Sequence, residues 1–474
     1  MSGTAGTGGL QVLLRGGMIV DGSGEREGDV LVEGRTIIAV GTGLVHASGA
    51  RVLDCAGCVV SPGFVDIHTH LREPGAEGAE TVIAGSRAAA LGGYTAVVAM
   101  PNTDPPADSA AVVRDVLALG EKALCQVAVA GTITVGRQGE RLAPIGEMRE
   151  LGVRLFTDDG RGVQDAGVMR RALEYAAGLG VTIADHCEVE ELSAGGSMNE
   201  GRTSSLLGIT GIPAEAEEIM VARDIALARR AGEGARLHLM HLSCAGSVSL
   251  VAAAKREGLN VSAEVTPHHI MLTEALLTGF DPVFKVSPPL RDERDVMALR
   301  EGIAAGVIDA IATDHAPHPA EDKEMPLPDA PPGMIGLETA LPVAIEALVK
   351  GTRPYGTENG DTCGESGSGA DRGDGGGSVI AALTSDALVA LLSRNPAKIA
   401  GLDVASEGRQ GGVIEQGAPA NIAVVDPAAE WTVEPGRMSS LSRNTGFAGR
   451  RMTGRVRHTI FEGEPVVIAG EAQR

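Results

Sequence analysis

Four kinds of side chain in this sequence could do chemistry on a small molecule: histidine, aspartate, arginine and asparagine. The stretch from Ser61 to Pro74, SPGFVDIHTHLREP, places His68 and His70 two residues apart and Arg72 two residues further on. Residues two apart in an extended chain point to the same side, so the two imidazoles converge, as nitrogen ligands of a divalent metal such as zinc do. A His-x-His pair alone is more often two ordinary surface or core residues, so the other polar residues decide the matter. Asp158-Asp159, His186, His241 and Asp314 follow, and nine of the eleven histidines lie between His68 and His318; only His46 and His458 fall outside.

The elements that must position these residues are strand-like runs alternating with alanine-rich helical stretches. The runs are Phe64 to Ile67, Thr95 to Ala99, Gln126 to Ala130, Val153 to Phe156, Thr182 to Ala184, Leu237 to Met240, Val261 to Val265 and Ala310 to Thr313. Eight such units in one chain predict an α/β fold, a TIM (β/α)8 barrel, with its chemistry at the carboxyl ends of the strands. His68 and His70 end the first strand, Asp158-Asp159 the fourth, His186 the fifth, His241 the sixth and Asp314 the eighth. Ligand-type side chains at five strand ends around one mouth predict a metal centre.

Six protein ligands exceed what one tetrahedral zinc needs, and a carboxylate can join two ions that share a hydroxide. Such a centre suits hydrolysis of an amide. Asp314, beside the nucleophilic water, is the expected catalytic residue, taking the water's proton and passing it to a leaving nitrogen. Arg72, Asn102 in AMPNTDPP and His318 in TDHAPH surround the same mouth and predict an anionic substrate, because a guanidinium fork matches a carboxylate.

The two chain ends read differently. Residues 11 to about 60 and the last part of the chain alternate short β-rich runs with glycine turns, which predicts one small β-sandwich built from both ends. The expected organisation is residues 1–61 and 405–474 as the sandwich and 62–404 as the barrel. Residues 355–377, YGTENGDTCGESGSGADRGDGGG, lack apolar anchors and are expected to form a flexible insertion without chemistry. The stretch SDALVALLSRNPAKIAGL is expected to close the barrel as a helix interrupted at Pro396.

With 62 acidic against 40 basic residues, the net charge of -22 excludes a nucleic-acid partner in this reading. No apolar run reaches the ~20 residues of a membrane span, and the opening MSGTAGTGGLQ has no signal-peptide pattern, so a cytoplasmic protein without a membrane partner is expected. Six scattered cysteines fit a reducing compartment. Cys55 and Cys58 form a C-x-x-C, but with no second pair at zinc-site spacing they read as small buried residues.

The segments GFVDIHTHLREPG, AMPNTDPP, FTDDGRGVQ, ADHCE, MHLS, EVTPHH, PPLR and ATDHAPH, in this order, resemble the long bacterial type of dihydroorotase in the amidohydrolase superfamily. The resemblance covers nearly the whole chain. It implies reversible cyclisation of N-carbamoyl-L-aspartate to dihydroorotate, a step of pyrimidine synthesis. It also implies two Zn2+ per chain, with His68, His70 and Asp314 on one ion, His186 and His241 on the other, and Asp159 bridging. Many superfamily members bridge with a carboxylated lysine, but RLFTDDG contains none. Asp158 is then expected to orient its neighbours. The resemblance places His70, Arg72, Asn102, Ser287, His318, Pro332 and Gly333 against the substrate, with two departures: Ser287 where the family usually has asparagine, and Pro332-Gly333 where it usually has FG. His268 and His269 match a family motif and are expected only to pack or support. Expected partners are the small-molecule substrate, a second copy in a homodimer, and aspartate transcarbamoylase. Related readings are a hydantoinase-like or allantoinase-like cyclic amidase and a non-catalytic scaffold of that transcarbamoylase.

Overall fold

The structure, a computed structural model, describes residues 11–357, 382–404 and 409–474. Eight parallel strands, Phe64–Thr69, Tyr94–Ala99, Gln126–Val129, Leu155–Phe156, Thr182–Asp185, Leu237–Leu239, Val261–Val265 and Ala310–Ile311, form two arcs of three and five. Single bridges from Gly131 to Phe156 and from Thr69 to His315 join the arcs into a closed barrel. All eight expected runs are strands, and none departs from its expected bounds by more than two residues.

The first strand is buried along its whole length, as a parallel strand with helices outside and side chains inside must be. An eight-stranded barrel has room only for side chains, and here small ones fill it: Ala96, Ala184, Ala310 and Ala312 beside Val65 and Ile67. Ala397, Ile399 and Leu402 complete this core from outside. Thr182, at the start of its strand, donates from Oγ1 to the Ile399 carbonyl (2.9 Å), so this segment closes the amino-terminal end of the barrel.

Pro396 does not interrupt the closing helix. Helical turns run from Ser385 to Val389 and from Asn395 to Ile399, joined by a π segment over Ala390–Arg394. The wider π turn lies just before the proline, which occupies an opening turn where its missing N–H is tolerated.

Both chain ends meet in one nine-stranded sheet. The strand Gln11–Asp21 pairs in parallel with Arg51–Asp54 and, past a bulge between Leu14 and Gly17, with Val59–Pro62. The last of these pairs antiparallel with Ile422–Thr432, joining the two ends of the chain. Val12, Leu14, Ile19, Val30, Ile422 and Val424 form its core, where Cys55 and Cys58 are also buried. Ala423, Val425, Met452 and Val456 pack into the barrel's outer core, which fastens the sheet to the barrel.

Most of the expected insertion, residues 358–377, lies outside the described residues. Tyr355, its first residue, is fixed: its N–H donates to Met271 (2.7 Å), and the Arg450 guanidinium lies 3.6 Å over its ring. Among the described residues no helix is long and apolar enough to cross a membrane.

Candidate metal centre and substrate cleft

The two histidines of the first strand reach the barrel mouth through a bulge. Val65 pairs with Ala96 and Asp66 with Val97, but Thr69 pairs with Ala99, so the first strand carries one residue more than its neighbour over this span. An extra residue reverses the alternation of faces beyond it. Asp66, ahead of the extra residue, alternates with the inward Val65 and Ile67 and accepts from the Thr313 N–H (3.1 Å) and hydroxyl, tying the first strand to the eighth. His68 and His70 turn inward.

There they meet the other expected ligands. His68, His70, Asp159, His186, His241 and Asp314 are all buried. Two groups of three, His68 with His70 and Asp159, and Asp159 with His186 and His241, each bring their ligand atoms within 4.8 Å of one another. Asp159 belongs to both. Its Oδ1 lies 3.4 Å from His68 Nε2 and 3.5 Å from His186 Nδ1, and its Oδ2 lies 3.4 Å from His70 Nε2. Asp314 Oδ1 lies 2.9 Å from His70 Nε2 and 3.3 Å from His68 Nε2. His241 Nε2 and His186 Nδ1 face each other at 2.8 Å.

Neither oxygen of Asp159, nor His68 Nε2, has a hydrogen-bond partner. Burying a carboxylate costs on the order of several kcal/mol unless it is paired, so a cation between these groups is the economical occupant. The histidines are also oriented for it. His68 Nδ1 lies 2.7 Å from Glu264 Oε1 and His70 Nδ1 lies 3.0 Å from Asn102 Oδ1, so Nδ1 carries the proton in each ring and Nε2 offers its lone pair to the centre. Glu264 is in turn held at 3.0 Å by His238 Nε2.

The electrostatics match. Burial alone would depress His68, but the carboxylates of Asp159, Asp314 and Glu264 outweigh it and hold its pKa well above the usual histidine range. Burial likewise works against Asp159, yet His68, His186 and His70 hold it well below the carboxylate range. Burial beside His186 and His68 pushes His241 well below 6.5. The centre therefore sets the charged carboxylate of Asp159 among ring nitrogens, His68 favouring positive charge and His241 neutral, and nitrogen and carboxylate oxygen together are the donor set of a zinc-type ion. Asp158 faces elsewhere: its Oδ1 accepts from the N–H groups of Ile133 (2.9 Å) and Thr134 (3.0 Å), which fixes the backbone from which Asp159 projects.

Above the centre lies a cleft, open to solvent, on which Arg72, Asn102, Ser287, His318, Pro332 and Gly333 all border. Arg72 Nε donates to the Pro317 carbonyl (3.2 Å), and its Nη2 lies 3.4 Å from His318 Nε2. His318 Nε2 donates to the Pro332 carbonyl (2.9 Å). Burial, with Arg72 and Lys323 alongside, pushes His318 down to about 3, so its ring is neutral. A Cβ on Gly333, where φ is +130°, would come within 2.6 Å of the Ala316 Cβ and 3.1 Å of His318 Nε2; this position requires glycine. Lys323 Nζ donates to the carbonyls of Pro331 (2.7 Å) and Pro282 (3.1 Å), which pins this wall from behind. His269 bridges Thr266 and the Pro288 carbonyl, beside Ser287.

Arg72, Arg137, His241 and Asp314 are non-glycine residues with positive φ, and all four lie at the mouth. Left-handed backbone at such residues costs about 1–3 kcal/mol each and is kept where the surroundings over-determine it, as around a functional centre. Several supports of the site stand outside the expected residues. Asp66 and Glu264 were visible as charged residues inside apolar strands, FVDIH and VSAEV. Arg137, whose Nη2 donates to the Asp159 carbonyl at 2.8 Å, and Asn444 carry no local signal.

Six histidine and aspartate side chains at the carboxyl mouth of a (β/α)8 barrel define a metal-dependent hydrolase of the amidohydrolase type. The L-hydantoinase of Arthrobacter aurescens has the same fold, with a TM-score of 0.81 over 98% of this chain and 97% of that one, at 24% identity. Residues 57–247 match the Dihydro-orotase-like family. A dihydroorotase of Streptomyces coelicolor is 46% identical over 97% of this chain and 99% of its own length. Another, from Pelotomaculum thermopropionicum, is 44% identical over 97% and 99%. The chain belongs to the dihydroorotase family, and it is an enzyme, a cyclic amide hydrolase; these relatives do not favour the hydantoinase-like or scaffold readings.

Proposed function

We propose that this chain interconverts N-carbamoyl-L-aspartate and dihydroorotate in pyrimidine synthesis, with His68, His70 and Asp314 holding one zinc ion, His186 and His241 a second, and Asp159 bridging the two. The supporting observation is Asp159, buried, shared by both histidine groups and unpartnered at both oxygens. It stands where many relatives use a carboxylated lysine, so no such modification is needed. Zinc bound there would polarise the ring carbonyl and lower the pKa of its water towards ~7.

The chain's own residues do the rest. Arg72, Asn102 and His318 bind the substrate carboxylate, and Ser287 with Pro332 and Gly333 lines the opposite side of the ring. Asp314 accepts a proton from the water that attacks the ring amide carbon and delivers it to the departing ring nitrogen. In the reverse direction Asp314 takes a proton from the attacking carbamoyl nitrogen and gives it to the oxygen that leaves the carboxylate, which departs as water with one further proton from the medium. Hydrolysis turns a monoanion into a dianion and releases a proton, so ring closure is favoured at lower pH and hydrolysis at higher pH.

The test is turnover of dihydroorotate by the purified chain, with metal content read on the same sample. Turnover with zinc present supports the reading. Zinc without turnover of dihydroorotate, but with turnover of a hydantoin, overturns it in favour of another cyclic amide. The proposal extends to a cytoplasmic enzyme, as a homodimer or in company with an aspartate transcarbamoylase, which light scattering with and without that protein separates.

A further inference from the structure

The segment between the strands Ile422–Thr432 and Arg451–Phe461, which pair antiparallel, leaves the terminal sheet and crosses to the barrel mouth. Ser440 Oγ donates to Glu80, Ser442 Oγ to the Ala79 carbonyl (2.7 Å), and the Ser439 N–H to Glu338 Oε1 (2.7 Å). At its far point lies Asn444, 6% exposed, with every polar group of its amide in use. Oδ1 accepts from the His318 N–H (3.1 Å), and Nδ2 donates to the carbonyls of Ala316 (2.9 Å) and Gly333 (3.1 Å). Its own carbonyl accepts from the Ile335 N–H (2.9 Å). One side chain thus joins two loops of the cleft wall: the loop that carries Asp314 to His318, and the loop that carries Pro332 and Gly333.

We propose that Asn444 is a positioning residue for the substrate: a strap from the carboxyl-terminal sheet domain that sets His318 and Gly333 at the separation the substrate carboxylate and ring require. This rests on the reading of those two residues as substrate contacts. The two loops touch directly where His318 Nε2 donates to the Pro332 carbonyl and the Ala316 N–H to the Met334 carbonyl (both 2.9 Å); three further charge-neutral hydrogen bonds on one buried amide fix their separation at His318 and Gly333, and only a side chain that accepts on one side and donates twice on the other satisfies them. The terminal sheet domain therefore takes part in catalysis without touching the metal ligands.

The test is a double-mutant cycle on the full chain with dihydroorotate as substrate. Asn444→Asp keeps the size and the acceptor for the His318 N–H but turns an oxygen on two carbonyls; Asn444→Ala removes all three bonds. Each is expected to raise KM about 10-fold with kcat changed far less and metal content unchanged, since misplacing a contact by about 1 Å has effects of this order or larger. His318→Ala is expected to raise KM as well, and the double variant with Asn444→Ala to be worse than either single one by much less than the product of the two effects, because the His318 contact is shared and only the Gly333 one remains. If His318→Ala leaves KM unchanged, the reading of the wall falls and the proposal with it. If His318→Ala raises KM while both Asn444 variants keep KM within twofold, or if the two effects simply multiply, the strap only stabilises the fold and the proposal alone is overturned.

Discussion

The metal centre and the cleft wall sit a few ångströms apart and are built by different means. The centre is made of side chains at strand ends, braced by buried carboxylates of other barrel strands, as Glu264 holds His68 and Asp66 holds the backbone at Thr313. The wall is made of loops, and what fixes it is mostly backbone: carbonyls of Pro331, Pro332, Ala316 and Gly333 accept from Lys323, His318 and Asn444. A strand end cannot shift without disturbing the barrel core, whereas a loop can shift by trading one carbonyl contact for another. Damage to the centre should therefore appear in metal content and kcat, and damage to the wall in KM.

The largest expected effect falls at the point where the two regions meet. Asp314→Asn keeps a ligand oxygen but loses the base, and should retain zinc while turnover falls by about 10³-fold; zinc analysis beside a rate assay checks both halves. Near-normal turnover would remove Asp314 from the chemistry. Next comes Glu264→Gln, which leaves every ligand in place but weakens the acceptor that orients His68. Metal affinity, measured by competition with a chelator, should fall about 10–100-fold. Unchanged affinity would show that the barrel core alone orients His68.

On the wall, Arg72→Lys keeps the charge but loses the fork, and KM should rise roughly 10-fold with metal content unchanged. A loss of zinc in this variant would erase the distinction between the two regions. The pH dependence adds a finer test. With His318 held down to about 3 by burial and by Arg72 and Lys323, its ring stays neutral across any assay above about pH 5, so KM should show no break from this residue between pH 5 and 9. Burial pushes Lys323 on the same wall down to about 7, so a tenfold change in KM near pH 6.5 would mean that His318 binds substrate as a titrating cation only if it persists in Lys323→Met.

The same division explains what was legible in the sequence. A barrel strand announces itself by an apolar run, and the polar residues at its end mark the mouth, so five of the expected ligand positions and the pair Asp158-Asp159 followed once eight runs were counted; the choice of Asp159 within the pair rested on the family resemblance. What stayed hidden is geometry that no local pattern encodes. The bulge before His68 was invisible because Phe64 to Thr69 reads as an unbroken strand; the inward aim of His68 and His70 comes from that extra residue and not from simple alternation. Asn444 lies 126 residues from His318 and 111 from Gly333, among serines and threonines that look like any surface loop. Pro396 misled in the opposite sense, since a π turn absorbs what normally ends a helix.

The smallest effect sharpens the comparison most, because it changes the wall alone. Ser287 borders the cleft where the family usually has asparagine, and the neighbouring Pro288 carbonyl is already fixed by His269. Serine offers one short donor where an amide offers a longer reach and two. Ser287→Asn should therefore lower KM for dihydroorotate by about threefold, the equivalent of one added modest hydrogen bond, and leave kcat and zinc content as they were. If KM rises instead, the backbone of this chain is set for serine, and the departure from the family pattern is matched by the second one at Pro332. Combining Ser287→Asn with Pro332→Phe decides between these: the two residues border the same cleft, so a compensated pair should give a KM lower than either single variant.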